Sequence, residues 1–513
     1  MRECIVILIL LSLNCISGCG TSMLDAKTRG WVVVETADLR VRSDAGPERA
    51  VEMAAQYQRM HDAIAEHELH CGFDRLTLPL EITLFKQLTE PSFHRTEQTA
   101  LLGLRAQIVV HTVSKDRSVG YFAHELTHRL LAVCFPSATA WLHEGMASFY
   151  ETARLHGDSL ELGFPPFAFM PRSNWVNRSV DLYEHEVDGE PIWVLPEWMV
   201  PGANELRAMS RTEFYDPKIE RKLLNYGGAW ALVHLLKLGE LSLSPQFVAY
   251  LNRLHDGKRE SAAWAESFGD RDIAGRYRAY LSEDPFSRVR SVQVEEPQGL
   301  VARTMSSGDA ALMLAQLEDW SDDKAAKRAL AYIDFAADKD STRLDAVLVR
   351  GALLAARGDE AGAERTFEAA LALDASNPDT LAAVLHFHME QATMDRRAAA
   401  EQRAQYEALL RAAVRPYHFA VAAWWTTYII ADTPRGLALA ERAIELDGTS
   451  FMAYATIGDA AASLGRFEQA LGAYRAALAL SRGRADRARV ELEARIDAIQ
   501  GKPKASKSIF DWD

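Results

Sequence analysis

Two histidines four residues apart, His124 and His128, bracket Glu125 in the stretch YFAHELTHRL. On an α-helix, residues four apart differ by about 40° around the axis, so both imidazoles leave one face and can hold a single cation. Glu125 projects beside them, where a carboxylate can take a proton from a group held at that cation. With 15 His and 71 Asp plus Glu in 513 residues, a random chain would carry such a match with probability roughly 0.06. The spacing therefore draws its weight from its surroundings.

Those surroundings are apolar and helix-forming, with Tyr121, Phe122 and Ala123 before the motif and Leu130, Leu131, Ala132 and Val133 after it. A second helical segment follows, AWLHEGMASFYE, and spacing alone leaves both His143 and Glu144 open as a third ligand. Taken together, HELTH and WLxEG resemble the gluzincin branch of zinc metallopeptidases, specifically the peptidase MA-like domains, over roughly residues 75 to 285. The resemblance implies an α+β zincin-like domain, a small mixed sheet plus active-site helices, with Zn2+ held by His124, His128 and Glu144. Two histidines, one carboxylate and no cysteine cluster nearby describe an open catalytic site, with water in the remaining position. Glu125 would be the general base of peptide-bond hydrolysis by that metal-activated water, on a peptide or protein substrate. The same resemblance gives Tyr226, in LLNYGGAWALVHLL, the task of donating to the oxyanion. Thermolysin-like gluzincins place an Asp four residues after the third ligand to hold a zinc histidine. Here that position is Ser148, so the support must come from elsewhere, Glu151 or a backbone carbonyl being the choices.

The elements that must position these residues are legible in outline. Residues 31–42, WVVVETADLRVR, read as a strand, and 47–69 carry apolar residues at helical spacing. Segments 78–85 and 106–113 read as strands, 119–133 and 138–154 as helices. The stretch RAQIVVHTV could be an edge strand that aligns an extended peptide, or an interior strand. Residues 160–202, rich in Pro and aromatics, read as a loop insertion without repeating secondary structure, and from about Tyr226 the pattern stays helical almost to the end.

The C-terminal part repeats itself. Gly351, Gly358, Ala363, Phe367 and Ala370 recur at the same offsets as Gly458, Gly465, Ala470, Tyr474 and Ala477. Gly436, Ala440 and Ala443 lie 34 residues before Ala470, Tyr474 and Ala477. This resembles the tetratricopeptide repeat, an all-α solenoid of helical hairpins, and implies a protein partner held by the array.

Composition closes off other classes. A net charge of −14 has the wrong sign for tracking phosphate backbones, so no nucleic acid is expected. The apolar run from Cys4 to Leu13 is too short to span a bilayer and reads as the core of an export signal. Ile16, Ser17, Gly18 and Cys19 resemble the bacterial lipobox, which implies lipidation at Cys19, a membrane partner through that anchor only, and residence in the bacterial envelope, periplasmic and at the outer rather than the inner membrane. Of five cysteines, Cys71 and Cys134 then remain, a pair for one disulfide or two separate thiols. The expected order is a lipoprotein signal at 1–18, a tether at 19–30, the peptidase-like domain at 31–290, repeats at 300–500 and a tail at 501–513. The leading expectation is an exported, lipid-anchored zinc peptidase whose repeats recruit a protein. The competing one is a catalytically silent envelope scaffold built on the same two parts.

Overall fold

A computed structural model describes residues 23–69, 79–86, 108–111, 115–135, 138–165, 183–187, 190–194, 200–216, 218–269, 271–282, 288–340, 342–389, 402–480 and 486–501. The expected signal segment, Cys19, Cys71 and the tail from 502 lie outside them. The described chain is mostly helical with three small sheets, which is compatible with an α+β domain joined to helical repeats. It divides into two compact units, each assembled from separated segments: 1–54, 78–112 and 299–456 in one, 55–77, 113–298 and 457–513 in the other. Among the described residues, no helix is long and apolar enough to cross a membrane.

The first unit holds a five-stranded mixed sheet. Strand β1 (Val32–Glu35) pairs antiparallel with Ala302–Thr304 on one side and with β2 (Leu39–Ser43) on the other. From β2 the pairing turns parallel, first to β3 (Leu80–Phe85) and then to β4 (Ile108–His111). The stretch expected as one strand, 31–42, is two, because Thr36 closes a turn in which its hydroxyl accepts from the Leu39 amide at 3.0 Å. Alternation explains which face is covered: Leu39, Val41 and Ser43 are buried while Arg40 and Arg42 are half-buried. β4 ends the sheet among the described residues. Trp31 and Phe85 meet edge to face at 5.3 Å between centroids. Both join a core with Leu312, Met313, Trp320 and Tyr332.

Helical hairpins follow, Leu344–Ala356 with Glu360–Leu373 and Pro416–Tyr428 with Thr433–Leu446. The repeated residues are the ones that let each pair close. A Cβ on Gly351 would stand 2.7 Å from the Phe367 ring, and Ala363 and Ala370 are fully buried on the partner helix. Gly358 ends its helix at φ +76, a left-handed conformation that costs glycine nothing. In the hairpin lacking a glycine there, Ala431 adopts φ 60 regardless, with an N-cap from Asp432 next to it.

The second unit carries α1 (Lys115–Cys134), α2 (Ala140–Glu151) and α3 (Ile219–His234), with α2 packed between the other two. A three-stranded antiparallel sheet forms from Arg154–His156, Ser159–Leu162 and Arg290–Gln293, and a hairpin from Tyr183–Val187 and Glu190–Val194. The region 160–202, read as a loop insertion without repeating secondary structure, therefore contains strands. Helix Phe467–Leu480 belongs to this unit and packs against α1, and its Tyr474 ring occupies the space that a Cβ on Gly458 would need.

Candidate metal centre

The motif helix α1 is two-faced. Phe122, Leu126 and Leu130, one turn apart, are fully buried, and Tyr57 packs on Phe122 with centroids 4.4 Å apart. His124, Glu125 and His128 occupy the half-buried side. Helix α2 is different in kind, since every residue from Trp141 to Tyr150 is buried. Trp141 seats its first turn, stacked on Tyr250 at 6.4 Å and edge to face with Trp264 at 6.0 Å. Two glycines set the separations of the three helices. A Cβ at Gly145 would stand 2.5 Å from the Ala229 carbonyl oxygen of α3, and one at Gly120 would strike the Glu151 carbonyl of α2. Only bare backbone allows these approaches, and they bring Glu144 and Glu151 within reach of the imidazoles.

His124, His128 and Glu144 converge in a group that could hold a metal ion. Nε2 of His124 and Nε2 of His128 are 3.1 Å apart, and Oε2 of Glu144 stands 3.7 Å from the first and 3.3 Å from the second. An ion bound at about 2.0–2.1 Å by three tetrahedral ligands needs donor atoms about 3.3 Å apart, so the spacing fits without rearrangement. His143, the other residue open as third ligand, is buried with its ring 6.0 Å from that of His128 and is not in the group. Glu151 takes the place that Ser148 leaves empty: its Oε2 is 3.0 Å from Nδ1 of His124, which frees Nε2 to face Glu144 and His128. Ser148 is buried.

Electrostatics follow from this crowding. Burial works to lower the His124 pKa, but the hydrogen bond and charge of Glu151, then the charges of Glu144 and Glu125, overcome it and push the imidazole up to about 9. A cation arriving there competes with a proton. Tyr121, one turn before Glu125, is pushed up to about 12 by burial of its phenol and by the charges of Glu125 and Glu151.

Sequence reasoning missed Tyr215, whose hydroxyl donates to Oε1 of Glu144. Tyr215 follows the short helix Arg211–Phe214 within RTEFYDP, where no spacing marks it, and the one local signal is the Ser210 and Glu213 capping box just before. Tyr226, the expected oxyanion donor, is half-buried on α3 with its ring 6.3 Å from that of Tyr215 and 5.8 Å from that of Phe214. Cys134, at the end of α1, is disulfide-bonded, and Cys71 lies outside the described residues.

At the far end of α3, His234 is buried and neutral. Tyr280 donates to its Nδ1 at 2.5 Å and its Nε2 donates to the Arg288 carbonyl at 3.2 Å. Burial depresses its pKa from the usual 6.5 to about 4, against the raising effect of backbone hydrogen bonds at Gly163 and Arg288. The unfolded chain therefore binds a proton that the folded chain refuses. Stability should be whole above pH 6.5 and fall as pH drops toward 4, by at most about 3 kcal/mol from this group. Urea titrations at pH 6.5, 5 and 4 should show a shallower acid loss in His234→Phe than in wild type, and equal slopes would refute the assignment. The chain matches no protein-family model, and no curated protein is similar to it in sequence.

Proposed function

We propose that the chain is a zinc-dependent peptidase, with His124, His128 and Glu144 as ligands and Glu125 as general base. The observation that carries this reading is the convergence of three donor atoms, from residues 124, 128 and 144, at the separations of a tetrahedral site. Two imidazoles and one carboxylate suit zinc, which when bound supplies a Lewis acid that polarises a carbonyl and acidifies water. The chain's own residues do the rest. Glu151 keeps His124 in one tautomer and orientation. Glu125, half-buried on the ligand face of α1, accepts the proton of the attacking water and returns it to the leaving amine. Tyr226, whose ring lies 6.3 Å from that of Tyr215, is the tyrosine assigned to donate to the negative charge that develops on the carbonyl oxygen.

The helical hairpins support the second half of the reading, a tetratricopeptide-like array that recruits a protein partner. Lipidation at Cys19 and envelope residence belong to the same proposal and rest on the N-terminal sequence. The full chain should carry about one zinc per molecule and cleave unstructured peptides until a chelator removes the metal, with activity restored by zinc. Stoichiometric zinc without cleavage of any peptide in a broad library would leave the scaffold reading standing, and the absence of zinc would remove the hydrolytic centre.

A further inference from the structure

Resting on that reading, we infer that Tyr215 is a positioning residue that turns Glu144 into a one-oxygen ligand. Glu144 is a long side chain within the buried stretch Trp141 to Tyr150 of α2, with only 3% of it exposed, so water cannot orient its carboxylate. The phenol of Tyr215 donates to Oε1, and Oε2 is left facing both Nε2 atoms at 3.3 and 3.7 Å. One oxygen is thereby committed to the protein and the other to the cation. A carboxylate held this way does not swing to bind through both oxygens, which keeps a coordination position open for substrate.

The backbone beneath Tyr215 is held from several directions, as a positioning role requires. Asn225 of α3, itself buried, donates Nδ2 to the Phe214 carbonyl at 2.9 Å and to the Glu213 carbonyl at 3.3 Å. The Phe214 side chain is fully buried, and Ser210 and Glu213 cap the preceding turn reciprocally. The three anchors lie on α3 and on the chain just before it, while the carboxylate they orient lies on α2.

The test is metal binding by the full-length protein, read by competition with a chelator for zinc and by the visible spectrum of bound cobalt(II). Tyr215→Phe keeps the ring and removes the donor. It should weaken zinc binding by about 10- to 100-fold and shift the cobalt bands, because the ligand field changes when Glu144 is released. In a Glu144→Ala background the same substitution should change neither readout, since nothing remains to be positioned. Wild-type affinity and spectrum in Tyr215→Phe would overturn the inference while leaving the metal centre intact. An equal weakening in the Glu144→Ala background would also overturn it, by showing a role in folding. A wild-type protein that takes up neither metal would overturn the peptidase reading and this inference with it.

Discussion

Glu125→Gln should leave zinc binding within about threefold of wild type and lower peptide turnover by at least roughly 100-fold. The two readouts separate because Glu125 is not among the three converging donors, which come from residues 124, 128 and 144. Glutamine matches glutamate in volume at this half-buried position, so the α1 packing built on Phe122, Leu126 and Leu130 has no reason to change. What disappears is a basic oxygen. A neutral amide cannot accept the proton of an attacking water, and transfers of this kind contribute about 10²- to 10⁴-fold. Loss of one negative charge near His124 lowers that imidazole's hold on its proton and also the site's attraction for the cation, two opposed effects that keep the change in zinc affinity small. Zinc content by elemental analysis and kcat on a fluorogenic peptide measure the pair. A Glu125→Gln protein that turns over at the wild-type rate would strip Glu125 of the role, and one that loses zinc would make it a ligand or a structural residue.

Local patterns in the chain anticipated most of the site, and long-range packing supplied what they could not. The i, i+4 spacing puts both imidazoles on one face of α1, and the ring orientations, with Glu151 on Nδ1 of His124, bring the two Nε2 atoms to 3.1 Å. Glu144 depended on a second motif, and Glu151 could be named once Ser148 was seen in the expected acidic position. Tyr215 is 71 residues from Glu144, and nothing within reach of a periodicity argument links them. The hairpin in the 183–194 region did have a local signal. Val187 pairs with Glu190, and the intervening dipeptide in the sequence is Asp188-Gly189, a strong two-residue turn former that the surrounding Pro and aromatic residues obscured.

The repeats show the same division. Gly351 and Phe367 were recognisable as a recurring pair, and the structure gives the reason: the ring fills the site where a Cβ would be. Ala431 at φ 60 stands 34 residues before Gly465 at φ +73, so the register persists where the residue type has drifted. Compact units are another matter. A linear reading cuts the chain once, near 290–300, whereas each compact unit is assembled from three separated segments. The packing of Phe467–Leu480 against the motif helix joins elements more than three hundred residues apart. No composition boundary could announce that.

Gly145→Ala should cost the protein about 2 kcal/mol of stability and weaken zinc binding, whereas Gly472→Ala, the same substitution in the same unit, should stabilise it by about 0.5–1 kcal/mol. At Gly472, inside the helix Phe467–Leu480, an added Cβ meets nothing within 4 Å, so only the gain in helix propensity remains. At Gly145 that same gain is opposed by contacts of 2.5 and 2.8 Å with the oxygen and carbon of the Ala229 carbonyl and 2.8 Å with Val233 Cγ2. Val233 could turn aside, but a carbonyl inside α3 cannot, so α2 and α3 must part. Overpacking of this sort costs typically 1–3 kcal/mol, more than alanine's helical advantage returns. The displacement falls on the residue beside Glu144, whose Oε2 must stay near 3.3 Å from His128 to share an ion with it. Denaturant titrations of both variants, with and without zinc, measure the effect. Equal signs for the two substitutions, or unchanged zinc affinity in Gly145→Ala, would show that the close approach of α2 to α3 is not what holds the third ligand in place.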